Sequence, residues 1–476
     1  MNDAPNTSSK ALPGSRSEAR YPLYACMFMV FVNVGRVQEI LPWMTAFRLG
    51  LLSITLAFAL ALASGRLSVN SLWNTRETKL VLLLWLLGFL SIPLSVWPGG
   101  ALLAWRTTLT SYALIFLICL ANARTEKELW RIIRAVVVSA LFLGTSADFL
   151  SASRLAATTT YDPNDLALIL AVVLPLAYAS LRISNTPALK VFHVLVILYM
   201  LILLPRTQSR GGLIGFLAGC MTNVMLERRT HSISKKAALI AAAAMIVYFA
   251  APESLWDRFS LLLTGQDYNL TADLDHGQEG RISLWGKGLI LIIENPFLGV
   301  GIGQASNAMG LRFGSHAWRA IHNSCLQIAL DLGLLGLLLF VLMFLSSWQN
   351  CTRVLTSADR GLSNDKIPIL AVSIQASLVA YAVSSFFLSQ AYCVLFPLLL
   401  ALSHSLSEQL SQQQGGAAAC ITNHTCKVSA SIPGRAVSPQ NTPFPPAEVG
   451  KPGTRSISQI LVPTSPNNHP HPPEPK

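Results

Sequence analysis

The sequence is poor in charge: Asp, Glu, Lys and Arg make up only 12% of its 476 residues. Soluble domains carry about a quarter, so an ordinary water-soluble globule is excluded. A disulfide framework is also missing, although there are eight cysteines. Cys26, Cys119, Cys220, Cys325 and Cys393 lie in or beside apolar runs, where cysteine behaves as a small hydrophobe. Cys420 and Cys426 lie in a polar stretch without histidines at zinc-site spacing. No His-Glu-x-x-His pair and no Gly-Lys-Ser/Thr of a Walker loop occurs, so neither a catalytic metal nor a phosphate-cradling loop is expected. A cleavable leader is not expected either. Residues 1–20 are polar and the apolar run after them lacks a small-residue cleavage site, which predicts an uncleaved first anchor.

What the chain has in abundance is apolar surface: 52% hydrophobic residues and a mean hydropathy of +0.49. The net charge of +12 is spread through short segments between apolar runs. That distribution fits a topology signal rather than a nucleic-acid patch. A helix needs about 20 apolar residues to span a bilayer. That template places about twelve spans, centred on Met27, Leu56, Leu84, Leu114, Val138, Ala171, Leu198, Phe216, Ala243, Gly336, Leu378 and Leu399.

The connections test this reading, because cytoplasmic loops collect Lys and Arg. Alternate connections do so, through Arg66, Arg76 and Lys79; Arg124, Lys127, Arg131 and Arg134; Arg182 and Lys190; Arg228, Arg229, Lys235 and Lys236; and Arg353, Arg360 and Lys366. Opposite connections are depleted: 95–100 and 389–392 have none, 32–46 has only Arg36, and 151–163 only Arg154. The expected fold class is an all-α polytopic membrane protein with both ends inside. Residues 1–20 form a cytoplasmic N-terminal tail and 21–410 the membrane domain. Residues 411–476, rich in Pro, Ser, Thr and Asn, form a disordered cytoplasmic tail. One large loop, 251–321, lies outside.

Outer-side stretches carry the candidate chemistry. The turn Pro205-Arg206-Thr207-Gln208-Ser209-Arg210-Gly211-Gly212 breaks the charge rule, with two guanidinium groups suited to phosphate and small residues that admit a ligand or another backbone. Snorkelling to the interface is the plainer explanation. Asp162-Pro163-Asn164-Asp165 reads as a helix start, with substrate contact as the sharper alternative. Within the long loop, residues 280–293 suit a helix lying on the bilayer surface, ended at Glu294-Asn295-Pro296. The alternating glycines Gly299, Gly301 and Gly303 suggest a tight turn or ligand contact, not a dinucleotide fingerprint. His322 stands just before the tenth span and is the group best suited to proton transfer near neutral pH.

Taken in order, Thr207-Gln208-Ser209-Arg210-Gly211-Gly212, Gly280-Arg281 with Trp285, Asn295 to Gly301, and His322-Asn323-Ser324 followed by Leu332-Gly333-Leu334-Leu335-Gly336 resemble the O-antigen ligase and polymerase family. Asp162-Pro163-Asn164-Asp165 looks like a stretch common among its members. The resemblance covers roughly residues 161–400. It implies a GT-C-like membrane glycosyltransferase of the bacterial inner membrane, with its site facing the periplasm and no cofactor or metal. The donor would be an undecaprenyl-diphosphate-linked glycan, and the acceptor a lipid A core or a growing glycan. By resemblance, Arg210, Arg281 and His322 would be catalytic. Arg206, Asp162, Asn164, Asp165, Trp285, Gly299, Gly301 and Asn323 would bind substrate. An exopolysaccharide or O-antigen polymerase is the alternative within the same family. A polysaccharide transporter or flippase is disfavoured, because most ionisable groups sit near span ends, Arg106 being the nearest exception.

Overall fold

The computed structural model describes residues 20–68, 73, 75–150, 155–156, 158, 161–227, 233–263, 280–359 and 366–430. Expectations for residues 1–19, for Arg154, for the acidic and histidine residues between 267 and 279, and for the tail beyond 430 lie outside them. Contacts divide the chain into two units, Met1–Cys420 and Ile421–Lys476, and the bundle of helices lies within the first.

Among the described residues the structure is helical, without strands. The longer helices are α1 Tyr21–Val34, α2 Leu49–Ala63, α3 Arg76–Leu90, α4 Pro98–Asn122, α5 Glu126–Leu150, α6 Pro163–Ile183, α7 Pro187–Arg206, α8 Arg210–Leu226, α9 Ile233–Ala250, α10 Glu253–Leu263, α11 Arg281–Glu294, α12 Ala305–Phe313, α13 Ser324–Asp359, α14 Lys366–Ser385 and α15 Leu395–Ala430. Every predicted span centre lies in one of them. Seven helices among the described residues are long and apolar enough to cross a membrane: Trp43–Ala63, Pro98–Asn122, Glu126–Ala147, Pro163–Ile183, Pro187–Arg206, Ser324–Ala358 and Lys366–Ser385. Tyr21–Val34, Arg210–Leu226 and Ile240–Ala250 are apolar but shorter. The chain is an all-α polytopic membrane protein. α15 runs on past Leu410, where composition alone predicts the tail to begin.

α6 is the axis of the bundle. Its apolar window is 83% buried, against 28% for Trp43–Ala63, so α6 meets protein on nearly all sides and Trp43–Ala63 is left for lipid. α6 starts where the sequence predicts. Asp162 accepts hydrogen bonds from the amides of Asn164 (2.6 Å) and Asp165 (3.0 Å), and Asp165 accepts one from the amide of Asp162 (3.2 Å). This is a reciprocal capping box with Pro163 in the first turn.

Glycines set how closely α8 approaches its neighbours. A Cβ on Gly212 would lie 2.4 Å from Ala167 on α6, and one on Gly215 would lie 2.0 Å from the Ser384 hydroxyl on α14. A Cβ on Gly219 would reach the Ala376 carbonyl of α14 at 3.1 Å. Gly215 and Gly219 thus form a small-residue seam of the kind that lets membrane helices pack backbone to backbone. As for the two readings open for Gly211 and Gly212, Gly212 packs against the backbone of α6, whereas Gly211 faces the Phe387 side chain in the turn after α14.

A polar layer closes the end of the bundle away from His322. There Arg66 pairs with Glu128 at 2.8 Å and Arg182 pairs with Glu227. The buried Glu77 carboxylate meets His404 at 2.8 Å and accepts from Asn350 at 2.8 Å.

Candidate active site

The ends of α6, α13 and α14 meet at the other end of the bundle, and one hydrogen-bonded strip joins them. The backbone N–H of His322 donates to the Ser389 hydroxyl (2.9 Å). The Ser324 hydroxyl donates to the Leu388 carbonyl (2.8 Å) and accepts from the Gln390 amide (2.9 Å). The Gln390 side chain then donates to Asp165 (2.8 Å), which shares the capping box with Asp162. Residues from the start of α6, the turn after α14 and the segment before α13 are thereby fixed to one another.

His322 itself is strained, with φ of 49°. That region costs a non-glycine residue about 1 kcal/mol or more and persists where surrounding contacts enforce it. Here the bond to Ser389 does so, together with Asn323, whose buried side chain caps α13 by accepting from the Leu326 amide (3.0 Å). Burial holds the His322 imidazole below its ordinary pKa. The nearby positive charges of Arg281 and Arg319 push the same way, and Asp162 opposes them. Arg281, Arg319 and Asp162 are therefore each within electrostatic reach of His322, although Asp162 and Arg281 lie far from it in the chain. Such an imidazole is neutral near pH 7 and can accept a proton.

Arg281 opens α11, the helix predicted for the bilayer surface. It ends at Asn295, before Pro296, as expected. Leu284, Gly288, Leu291 and Ile292 turn inward, whereas Ile282, Leu289 and Ile293 are exposed. The exposed set is what a surface helix gives to the lipid boundary. Trp285 anchors it through an indole N–H donated to the Ile321 carbonyl (2.9 Å), one residue before His322. Its ring meets Phe386 edge-on at 5.6 Å.

Arg210 begins α8 directly after Ser209, whose side chain caps the helix. A Cβ on the following Gly211 would lie 3.1 Å from Phe387, two residues from the serine that holds His322. Arg206 ends α7, and its carbonyl accepts from the Leu155 amide (3.3 Å), toward a different segment from His322. Asn164 sits at the mouth of α6, its side chain 3.2 Å from the Asp162 carboxylate. The glycine turn has a packing reason. Gly299 has φ of 64° and Gly301 of 104°. Their added Cβ atoms would meet the Leu330 carbonyl at 2.3 Å and the Ser95 hydroxyl at 2.1 Å. The turn clasps protein on both sides, so these glycines answer to a close backbone approach. Among the described residues no group of three His, Cys, Asp or Glu side chains could hold a metal ion.

Residues 195–341 match the family model described as O-Antigen ligase. Over these residues the chain is similar to the O-antigen ligase family. The matched stretch takes in Arg206, Arg210, Arg281, Trp285, Gly299, Gly301, His322 and Asn323, and leaves Asp162, Asn164 and Asp165 outside it. Members act on glycans as ligases or polymerases. No curated protein matches the chain.

Sequence reasoning passed over three contributors. Arg319 adds positive charge beside His322, and Ser389 and Gln390 bind the strip together. The turn 389–392 was legible only as an outer connection free of charge. Its role depends on a fold that brings it against residue 322.

Proposed function

We propose that the chain is a glycosyltransferase that moves a glycan from undecaprenyl diphosphate to a sugar hydroxyl, on a lipid A core or a growing polysaccharide, at the periplasmic face of the inner membrane. The observation that carries this reading is the half-buried His322, kept neutral within electrostatic reach of Arg281, in a segment matching an O-antigen ligase model. The acceptor oxygen attacks the anomeric carbon while the bond from that carbon to the diphosphate oxygen breaks. The electron pair leaves on the diphosphate, and the hydroxyl proton passes to His322. Arg210 and Arg281 stabilise the charge that develops on the leaving group. A single displacement of this kind inverts the anomeric configuration and needs no metal. Asp162 and Asn164, at the mouth of α6, serve as substrate contacts, and α11, anchored by Trp285, borders the path of the polyprenyl chain.

The test is deletion of the gene, with lipopolysaccharide and secreted polysaccharide examined together, followed by complementation with His322→Ala and Arg210→Ala. Accumulated undecaprenyl-linked glycan over bare lipid A core, uncorrected by either variant, is the expected result. Normal capping with a shortened secreted polymer would assign polymerase activity instead. Full complementation by a variant would remove that residue from the mechanism.

A further inference from the structure

Beside the His322 strip lies a cavity of about 1080 Å³, just above the range of about 300–1,000 Å³ for small-molecule sites. Its walls come from the connection after α1, the start of α2, the middle of α4 and the turn after α14. Three guanidinium groups line it, those of Arg36, Arg48 and Arg106, and Glu39 is the one carboxylate in the lining. Glu39 is already engaged by Arg36 at 2.9 Å and by the Thr158 hydroxyl at 2.7 Å, so the lining carries an excess of positive charge.

Several features mark the cavity as built for a ligand. Arg106 lies inside the candidate span Pro98–Asn122, on a π-helical turn, Trp105–Leu109. A charge within a span is expensive unless used, and single π-turns recur at functional sites. Arg36 and Arg48 hold left-handed backbone, with φ of 52° and 47°. With Gln208 and His322 they are the non-glycine residues of positive φ among those described. Strained backbone of this sort gathers at ligand clamps. The Arg36 Nε and the Tyr112 hydroxyl, both on the lining, are buried with no hydrogen-bond partner among the described residues. Leaving such a group unmade costs about 1–3 kcal/mol. Most of the remaining wall is hydroxyl and amide: Asn33, Gln38, Thr107, Ser111, Gln327 and Gln390.

We propose that this cavity binds an acidic saccharide, with Arg36, Arg48 and Arg106 taking its carboxylate or phosphate groups and the hydroxyls and amides taking its ring oxygens. It is a compartment separate from the diphosphate clamp, and its assignment to the acceptor glycan rests on the transferase reading above. Ser389 and Gln390 form the shared wall, holding His322 on one side and lining the cavity on the other. A sugar seated there presents its hydroxyl next to the residue that takes the proton. A lipid headgroup has the same charge but would leave the hydroxyl and amide wall without partners.

The test uses the full-length protein in neutral detergent with labelled tetragalacturonate, maltotetraose and inorganic phosphate as probes, read by equilibrium dialysis. Wild type should bind the acidic tetramer at least about tenfold more tightly than the neutral one, a difference of about 1.4 kcal/mol. Arg106→Gln and Arg48→Gln should each weaken it by about tenfold or more, Arg106→Lys should restore most of it, and Arg281→Gln should leave it unchanged. Equal affinity for both tetramers, or indifference to Arg106→Gln in folded protein, would overturn the proposal. So would full displacement by phosphate or by phosphatidylglycerol nanodiscs at matched concentration, the second outcome assigning the cavity to a lipid headgroup. Acidic-sugar binding that persists where glycan transfer is absent would leave the cavity reading standing and remove only its acceptor role.

Discussion

At the scale of single residues, the environment of His322 makes a prediction with a definite sign. Burial first, then Arg281 and Arg319, depress its pKa, while Asp162 raises it. A base must be unprotonated, so activity should be flat at neutral pH and fall as pH drops through a value below the ordinary histidine pKa of about 6.5. Arg319→Gln removes a depressing charge and should move that acid limb upward; Asp162→Asn should move it downward. Transfer rates measured across pH 4–8 decide the point, and a limb that stays put in both variants would deny His322 its role as base. His322→Gln should cost about 10²–10⁴ in rate if the base is lost. Much of this site was legible in sequence. Asp162 and Asp165 sit in a four-residue signature, and His322 stands alone at a span entrance. Arg319, Ser389, Arg36 and Arg48 were not legible, because nothing local distinguishes them from interfacial residues, and Arg106 stood out only as a charge away from the span ends. Their meaning comes from segments that folding alone brings into contact.

At the scale of helices, the fit of α8 against α14 is the feature most open to test. Gly215→Leu drives a side chain into Ser384 and the Ala380 carbonyl, which an added Cβ would already meet at 2.0 and 2.9 Å. Overpacking of this kind costs about 1–3 kcal/mol. It should lower the melting temperature in detergent and displace Arg210, so transfer falls further than stability alone explains. Ser384→Gly in the same chain should recover part of the loss, and no recovery would argue against this contact. The Glu77 knot makes a second case. Glu77→Ala strips His404, Ser346 and Asn350 of their shared acceptor, and breaking a buried pair costs about 3–5 kcal/mol. A melting temperature within experimental error of wild type would show the knot to be dispensable. The helices themselves were written in the sequence, since an apolar run is a local property. The glycines were ambiguous there, because small residues admit a ligand and a neighbouring helix equally well.

At the scale of the whole molecule, charge and packing agree on a direction. The ion pairs Arg66–Glu128 and Arg182–Glu227 lie at one end, and His322, Arg210 and Asp162 lie at the other. In a cysteine-free background, Ser315→Cys should react with an impermeant maleimide from the periplasm. Asn185→Cys should react only after the inner membrane is opened. The reverse pattern would invert the topology and with it the proposed site. The break in α13 at Gly333, where φ is 71°, bears on how such a chain is made. The Leu330 and Asp331 carbonyls accept from the Val300 and Gly301 amides (2.8 and 3.1 Å), and the Leu334 amide donates to the Pro296 carbonyl (2.7 Å). During biosynthesis that span cannot complete its backbone bonding by itself within hydrocarbon, where every open carbonyl is costly. The helix and the loop before it are therefore expected to reach their final bonding together, each supplying partners that the other lacks.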